Sequence, residues 1–370
     1  MKLGLAVLSL ALTSTALAQT APPPQPDQPQ TLRATTTIVL VPALVTTKNG
    51  EPVFTLTPDD FILTDDGVPQ TLRLEDDTDR QPIALVVVIE AGGEGATHLD
   101  GLEERLGPMI DTLVGPVEHT VAVVGFDSEP ALVQPFTSDM EVVDKAIRGI
   151  GPGNGKAAIL DGLSFAVDQL RNQPPRYRRA IISFTETLDH GSHLKIADAL
   201  RAVSDTNTAI YSFAFNSTKA EEKSEAGEFS SRDPGPEHGC MGRDPDADPT
   251  KVKNRGVQAY DCASLLAPPL RLAKMAAIAA ANALRKNVPE TVAHLTGGEY
   301  YSFSNEKNLE RGLQTLTNHI PNRYVLSFHP VNPHPGLHAV TLQLKDRPNL
   351  KVAARTSYWA AGPAAEAITP

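Results

Sequence analysis

The feature that most constrains this chain is the stretch from Ile83 to Gly95, Ile-Ala-Leu-Val-Val-Val-Ile-Glu-Ala-Gly-Gly-Glu-Gly. Its first half is an unbroken apolar run rich in β-branched residues, the pattern of a strand covered on both faces, as in a parallel sheet flanked by helices. Polarity changes abruptly at Glu90, where the run gives way to glycines and carboxylates. In an open α/β sheet, ligands bind in the crevice beyond the carboxyl ends of the strands. The end of this strand is therefore the expected place for function.

From Pro82 to about Phe303 apolar runs alternate with helical patterns. Helices are expected near Leu99 to Leu113, Met140 to Ile150, Ala158 to Leu170, His193 to Val203, Leu270 to Lys286, Pro289 to Leu295 and Glu306 to His319. The strands between them are expected at Thr120 to Phe126, Ala180 to Phe184, Ala209 to Phe215 and Tyr300 to Phe303. Ala131 to Phe136 follows its predecessor too closely for a crossover, so it reads as an antiparallel edge. The fold class is α/β: a doubly wound, mostly parallel sheet over residues 82–320.

Both ends of the chain read as β. Thr37 to Thr46, a turn at Lys48-Asn49-Gly50, a return over Val53 to Leu56, and a second tight turn at Asp66-Gly67 make residues 35–80 rich in hairpins. Such a segment cannot bury a core alone. Its natural partners are Tyr324 to His329, His338 to Leu344 and Lys351 to Trp359, so residues 35–80 and 323–360 are expected to build one β-rich companion domain.

Residues 1–18 have the form of a secretory signal peptide: Lys2, the apolar segment Leu3 to Leu12, and Ala16-Leu17-Ala18 before Gln19. That apolar segment is too short for a membrane anchor, and no membrane span is expected after its removal. A Pro/Gln-rich spacer occupies 19–34. The net charge of −11 argues against nucleic acid and anionic membrane surfaces as partners. Residues 216–263 interrupt the α/β rhythm as an inserted excursion. This insertion holds both cysteines, Cys240 and Cys262, which in an exported protein are expected to form one disulfide contributing about 3 kcal/mol.

Several short pieces carry a family resemblance when taken in order. They are Asn49-Gly50-Glu51-Pro52-Val53, Leu56-Thr57-Pro58-Asp59-Asp60-Phe61, Asp65-Asp66-Gly67-Val68-Pro69-Gln70, Leu295-Thr296-Gly297-Gly298-Glu299-Tyr300-Tyr301 and Arg323-Tyr324-Val325-Leu326. With the α/β core between them, the chain resembles the von Willebrand factor A-related proteins of the acidobacterial type over most of residues 35–360. The resemblance implies a Rossmann-like A domain. It also implies a divalent cation held at the top of the sheet by an Asp-x-Ser-x-Ser loop, a Thr and a further Asp, with a partner protein's carboxylate completing the coordination.

Alignment on the strands puts Glu90, Gly92 and Glu94 at the Asp-x-Ser-x-Ser positions, Ala157 at the Thr and Glu186 at the last Asp. None of the family's donors is retained as such. The hydroxyls are gone, and each added methylene moves a carboxylate by about 1.5 Å. Magnesium, which demands near-ideal octahedral geometry, tolerates this least; calcium or manganese could use carboxylates alone, through Glu90, Glu94 and Glu186 with Asp189 beside them. The expectation is a degenerate metal-ion-dependent adhesion site with no bound metal and no cofactor. The protein is then an exported, periplasmic or extracellular, non-enzymatic binding or scaffolding protein whose partner is a protein or cell-envelope component. The alternative is a cation-dependent adhesin.

Other chemistry reads more weakly. A carboxylate-based hydrolase would need a catalytic pair, and no aromatic sugar platform accompanies these acids; Trp359 is the only tryptophan. His190 and His193 lack helical ligand spacing for zinc, and His329, His334 and His338 alternate with prolines around a turn, where a plain loop is the simpler reading. Gly151-Pro152-Gly153-Asn154-Gly155-Lys156 has neither the glycine spacing nor the hydroxyl of a phosphate loop. No catalytic residue is assigned.

Overall fold

The computed structural model describes residues 38–75, 81–95, 98, 103–205, 207–215, 268–331 and 333–360. The expected signal segment, the spacer, the excursion at 216–263 and the Cys240–Cys262 pairing lie outside the described residues.

A six-stranded sheet forms the centre. Its strands are β5 (Ile83–Glu90), β6 (His119–Phe126), β7 (Pro130–Thr137), β8 (Arg178–Glu186), β9 (Ala209–Phe215) and β10 (Tyr300–Ser302), in the spatial order β10-β9-β8-β5-β6-β7. All neighbours are parallel except β7, which pairs antiparallel with β6 at the edge, as the short connection requires. β5 lies between β8 and β6, and all eight of its residues are buried. Ile83, Leu85, Val87 and Ile89 enter the core on one face, and Ala84, Val86 and Val88 the core on the other. A strand buried on both sides has no polar face to present, which accounts for the continuous apolar run.

The first core is covered by α1 (Glu103–Val114), α2 (Met140–Arg148) and α7 (Glu306–His319). The second is covered by α3 (Ile159–Arg171), α4 (Ile196–Asp205), α5 (Pro268–Leu284) and α6 (Val288–Thr296). Caps fix several boundaries: the Asp139 side chain accepts from the N–H groups of Glu141 and Val142, Asn287 from Glu290, and Asn305 from Asn308. α6 ends at Gly297, which takes a left-handed φ of 77°. Gly298 then packs so tightly that a Cβ there would lie 1.9 Å from the carbonyl oxygen of Ile210. α4 begins three residues later than the sequence suggests, because the N–H groups of His193 and Leu194 are donated to the Asp161 carboxylate instead of entering the helix.

The two ends of the chain build two further sheets. β1 (Val39–Thr47) pairs with β11 (Tyr324–Phe328) and β13 (Leu350–Ala354), and β11 with β4 (Arg73–Leu74). β12 (Gly336–Leu344) pairs with β2 (Phe61–Asp65) and β14 (Ser357–Ala360), and β2 with β3 (Val68–Pro69). All these pairs are antiparallel, and a third core fills the space between the sheets with Val41, Val45, Leu63, Leu326, Phe328 and Tyr358 among others. This is the β-rich companion.

Two expectations change here. Val53 to Leu56 does not return as a strand; one bridge, Thr46 to Pro52, marks the approach. Lys351 to Trp359 is two strands in different sheets, separated at Arg355 and Thr356. Arg355 is 1% exposed. Its guanidinium donates to the carbonyls of Ser357, Leu40 and Ser204 and to Asn207 Oδ1. At the corner Arg355 and Ser357 turn inward and Thr356 outward, but Val352, Ala354, Tyr358 and Ala360 keep an even spacing in the sequence, so the break leaves no mark in the hydrophobic pattern.

Candidate functional site

Three loops meet beyond the carboxyl ends of β5, β6 and β8, and main-chain hydrogen bonds fasten them together. Gly92 N–H reaches the carbonyl of Phe126 at 3.3 Å, Gly93 N–H that of Asn154 at 2.9 Å, Gly153 N–H that of Ala91 at 2.7 Å and Ala158 N–H that of Asp127 at 2.8 Å. Asp127 adds side-chain links: Oδ2 accepts from Asn154 N–H and Oδ1 from Glu129 N–H. Those bonds hold the Asp127 carboxyl below the usual range, the Asn154 bond contributing most. The sequence does not single out Asp127, although it is the residue on which loop 151–156 is anchored.

Glu90 faces inward and is 1% exposed. Its Oε2 accepts from Thr185 Oγ1 and from Glu186 N–H, each at 2.7 Å, and its Oε1 accepts from Gly95 N–H at 3.0 Å. Burial raises its carboxyl to about 8; the neighbouring Glu186 carboxyl adds to the rise, and together they outweigh the donated hydrogen bonds. Glu186 is fully buried. Its Oε1 meets Nε2 of His190, and its Oε2 has no hydrogen-bond partner.

His190 is held from its other side by Ala157: Nδ1 accepts the Ala157 N–H at 3.4 Å, and the His190 N–H donates to the Ala157 carbonyl at 3.0 Å. An acceptor Nδ1 assigns the ring proton to Nε2, so the imidazole donates to Glu186. Gly93, at φ 54°, closes over this pair; a Cβ on it would lie 2.7 Å from Glu186 Oε1 and 2.9 Å from Glu90 Oε1. At Gly92 loop 151–156 is closer still, the Lys156 carbonyl standing 2.0 Å from where a Cβ would be.

The remaining expected positions point elsewhere. Glu94 lies 3.7 Å from His98, whose ring stacks on Phe215. Asp189 Oδ1 accepts from Leu160 N–H at 3.1 Å and from Ser192 Oγ at 2.6 Å, while Ser192 Oγ accepts from Asp161 N–H. Helix α3 has no capping side chain of its own. Asp189 and Ser192 thus supply its first-turn acceptors from a loop about thirty residues away in sequence, and Asp161 returns the bond to His193 and Leu194. His193 is exposed at its ring. Around these buried groups the rim is residues 151–156, all exposed, ending in Lys156.

Residues 90–190 match the family described as the von Willebrand factor type A domain. The chain carries a von Willebrand factor A-related domain, and its top loops lie inside the matched span. Among solved structures the chain is similar to the conserved hypothetical protein BatB from Bacteroides thetaiotaomicron, at 13% identity over 64% of this chain and 97% of that one, with a TM-score of 0.36. It is similar to an aerotolerance-related membrane protein from Bacteroides fragilis at 15% identity, 64% and 98% coverage and a TM-score of 0.36. It is similar also to the vWF domain of the type V pili tip protein Mfa5 from Porphyromonas gingivalis, at 19% identity, 30% and 39% coverage and a TM-score of 0.27. No curated protein sequence matches the chain. Among the described residues, no helix is long and apolar enough to cross a membrane.

Proposed function

We propose that this is an exported, non-enzymatic binding or scaffolding protein that engages another protein through the top of its A domain without a bridging cation. The observation that carries the reading is the His190–Glu186 contact, in which an imidazole N–H meets a buried carboxyl at one of the family's ion-donor positions. The residues present do not fit the family's ion. Glu90 already accepts three hydrogen bonds, Ala157 offers no side-chain oxygen, and the Lys156 carbonyl fills the space a serine at position 92 would need. A divalent ion needs several free oxygens at fixed distances.

What the face does offer is a fixed backbone ridge. Gly151 to Lys156 stands exposed and is tied down by Asp127 and by the Gly93 and Gly153 hydrogen bonds. A pre-ordered loop loses little entropy on binding. Lys156 supplies a cationic contact for a carboxylate on the partner. Export rests on the signal-like character of residues 1–18.

Site-specific photocrosslinking from Gly155, in cells producing the full chain, tests this. A discrete protein adduct that forms equally in EDTA, weakens with Lys156→Glu and is absent when the crosslinker sits at Arg176, at the opposite end of the sheet, supports the reading. An adduct that requires calcium or manganese would favour the cation-dependent adhesin instead.

A further inference from the structure

Away from the top of the parallel sheet, Asp66, His334 and His338 bring one donor atom each to a point, all within 4.8 Å of one another. Asp66 sits at the tip of the β2–β3 hairpin with φ 49°, followed by Gly67 at φ 80°. It is fixed to β12 by its N–H to the Ala339 carbonyl at 2.8 Å and by its Oδ1, which accepts from Ala339 N–H at 2.9 Å. Asp66 Oδ2 is left to face the histidines, at 2.9 Å from His338 Nδ1 and 3.0 Å from His334 Nε2.

We propose that Asp66, His334 and His338 are a binding site for a first-row transition-metal dication, zinc being the best match. Each histidine has its far nitrogen on a main-chain carbonyl: His338 Nε2 on that of His334 at 2.8 Å, and His334 Nδ1 on that of Pro335 at 3.3 Å. A carbonyl accepts only, so the far nitrogens carry protons; the near nitrogens face Asp66 Oδ2 as hydrogen-bond donors, and each gives up its proton when a metal ion takes the proton's place. Outer hydrogen bonds of this kind orient and strengthen imidazole ligands.

Two imidazoles and a carboxylate suit zinc, whereas calcium and magnesium take sets of oxygens. Asp65, 4% exposed like Asp66, places a second carboxylate 3.0 Å from His338 Nδ1 and is itself held by Tyr358 Oη at 2.8 Å. A dication offsets two such buried charges.

Tetrahedral zinc spaces its donors about 3.3 Å apart, so the contacts open by a few tenths of an ångström on binding. The two rings are stacked at 3.9 Å with 18° between their planes. His334, the more exposed of the two, must turn out of the stack to aim its lone pair at the ion.

The test is calorimetric titration of the metal-stripped full chain with zinc chloride, with cobalt(II) chloride as a spectroscopic probe. One zinc per chain, a visible cobalt band of low-coordinate character and a loss of affinity of about 100-fold in His334→Ala and in Asp66→Asn are expected. His334→Ala removes a partly exposed side chain and keeps the hairpin pairing; unchanged circular dichroism establishes that it folds. His190→Ala and the Cys240→Ser, Cys262→Ser pair are expected to bind zinc unchanged, and calcium chloride to give no heat. Absence of zinc binding, or binding that survives both His334→Ala and Asp66→Asn, overturns the proposal. Binding lost only in the His190 or cysteine variants does the same.

Discussion

His190 Nε2 and Glu186 Oε1 meet inside the top of the A domain, while His190 Nδ1 rests on the main-chain N–H of Ala157. One side chain therefore joins the loop after β8 to the loop before α3 and supplies the hydrogen-bond partner of a fully buried carboxyl. Glu186 Oε2 already lacks a partner, so His190→Ala leaves the whole carboxyl without one. A loss of about 1–3 kcal/mol is expected, read from the midpoint of urea unfolding.

Gly92 gives a second prediction. On the proposed alignment Gly92 stands at a family serine position, and Gly92→Ser is expected not to create a cation site, because its Cβ overlaps the Lys156 carbonyl and crowds the Asp127 main chain. The variant is expected to melt lower than the parent, with a melting temperature that magnesium and manganese leave unchanged. An ion-dependent rise in that temperature would show that the loops can separate and coordinate.

Glu90 makes stability depend on pH. Its folded value of about 8 lies above the ordinary 4.5, so the native state keeps a proton that the unfolded chain gives up. The associated stabilisation is complete below about 4.5 and is lost as the pH rises through 8. Unfolding free energy is expected to fall across that window by a few kcal/mol at most, and Glu90→Gln to flatten the slope. Chemical denaturation at pH 5, 7 and 9 measures it.

Arg355 carries the corner between the two companion sheets. Its replacement by methionine keeps much of the volume but strands the carbonyls of Leu40, Ser204 and Ser357. A cost of about 3 kcal/mol or more is expected, seen as a lowered thermal midpoint. Arg355→Lys recovers only part of it, because an ammonium cannot span acceptors spread in a plane.

Much of this architecture is legible from local pattern. The valine run of β5, the Asp66-Gly67 turn, the Gly297 helix end and the antiparallel edge at β7 follow from burial on two faces, left-handed turn geometry and the short connection that rules out a crossover. The corner at Arg355 is not legible, since apolar residues keep the same even spacing on either side of it. Nor is the role of Asp189, because the helix it caps begins about thirty residues earlier in the chain. His334 and His338 read as an ordinary proline-rich loop until Asp66, 268 residues from His334, is seen against them.

By itself, the sequence determined most of the strands and helices and the place where the parallel sheet ends in carboxylates, and it led to the proposal that Glu90, Gly92, Glu94, Ala157 and Glu186 stand where the family has ion donors. Periodicity and residue type are properties of neighbouring positions, and they suffice for that. Only the tertiary structure decided what these residues do: Glu90 turns inward under three donors, the Ala157 main chain holds His190 against Glu186, and the Lys156 carbonyl fills the place beside Gly92. The physical reason is that hydrogen-bond partners and excluded volume depend on which loops fold against one another, and those loops are separated by stretches of chain far longer than any local pattern spans.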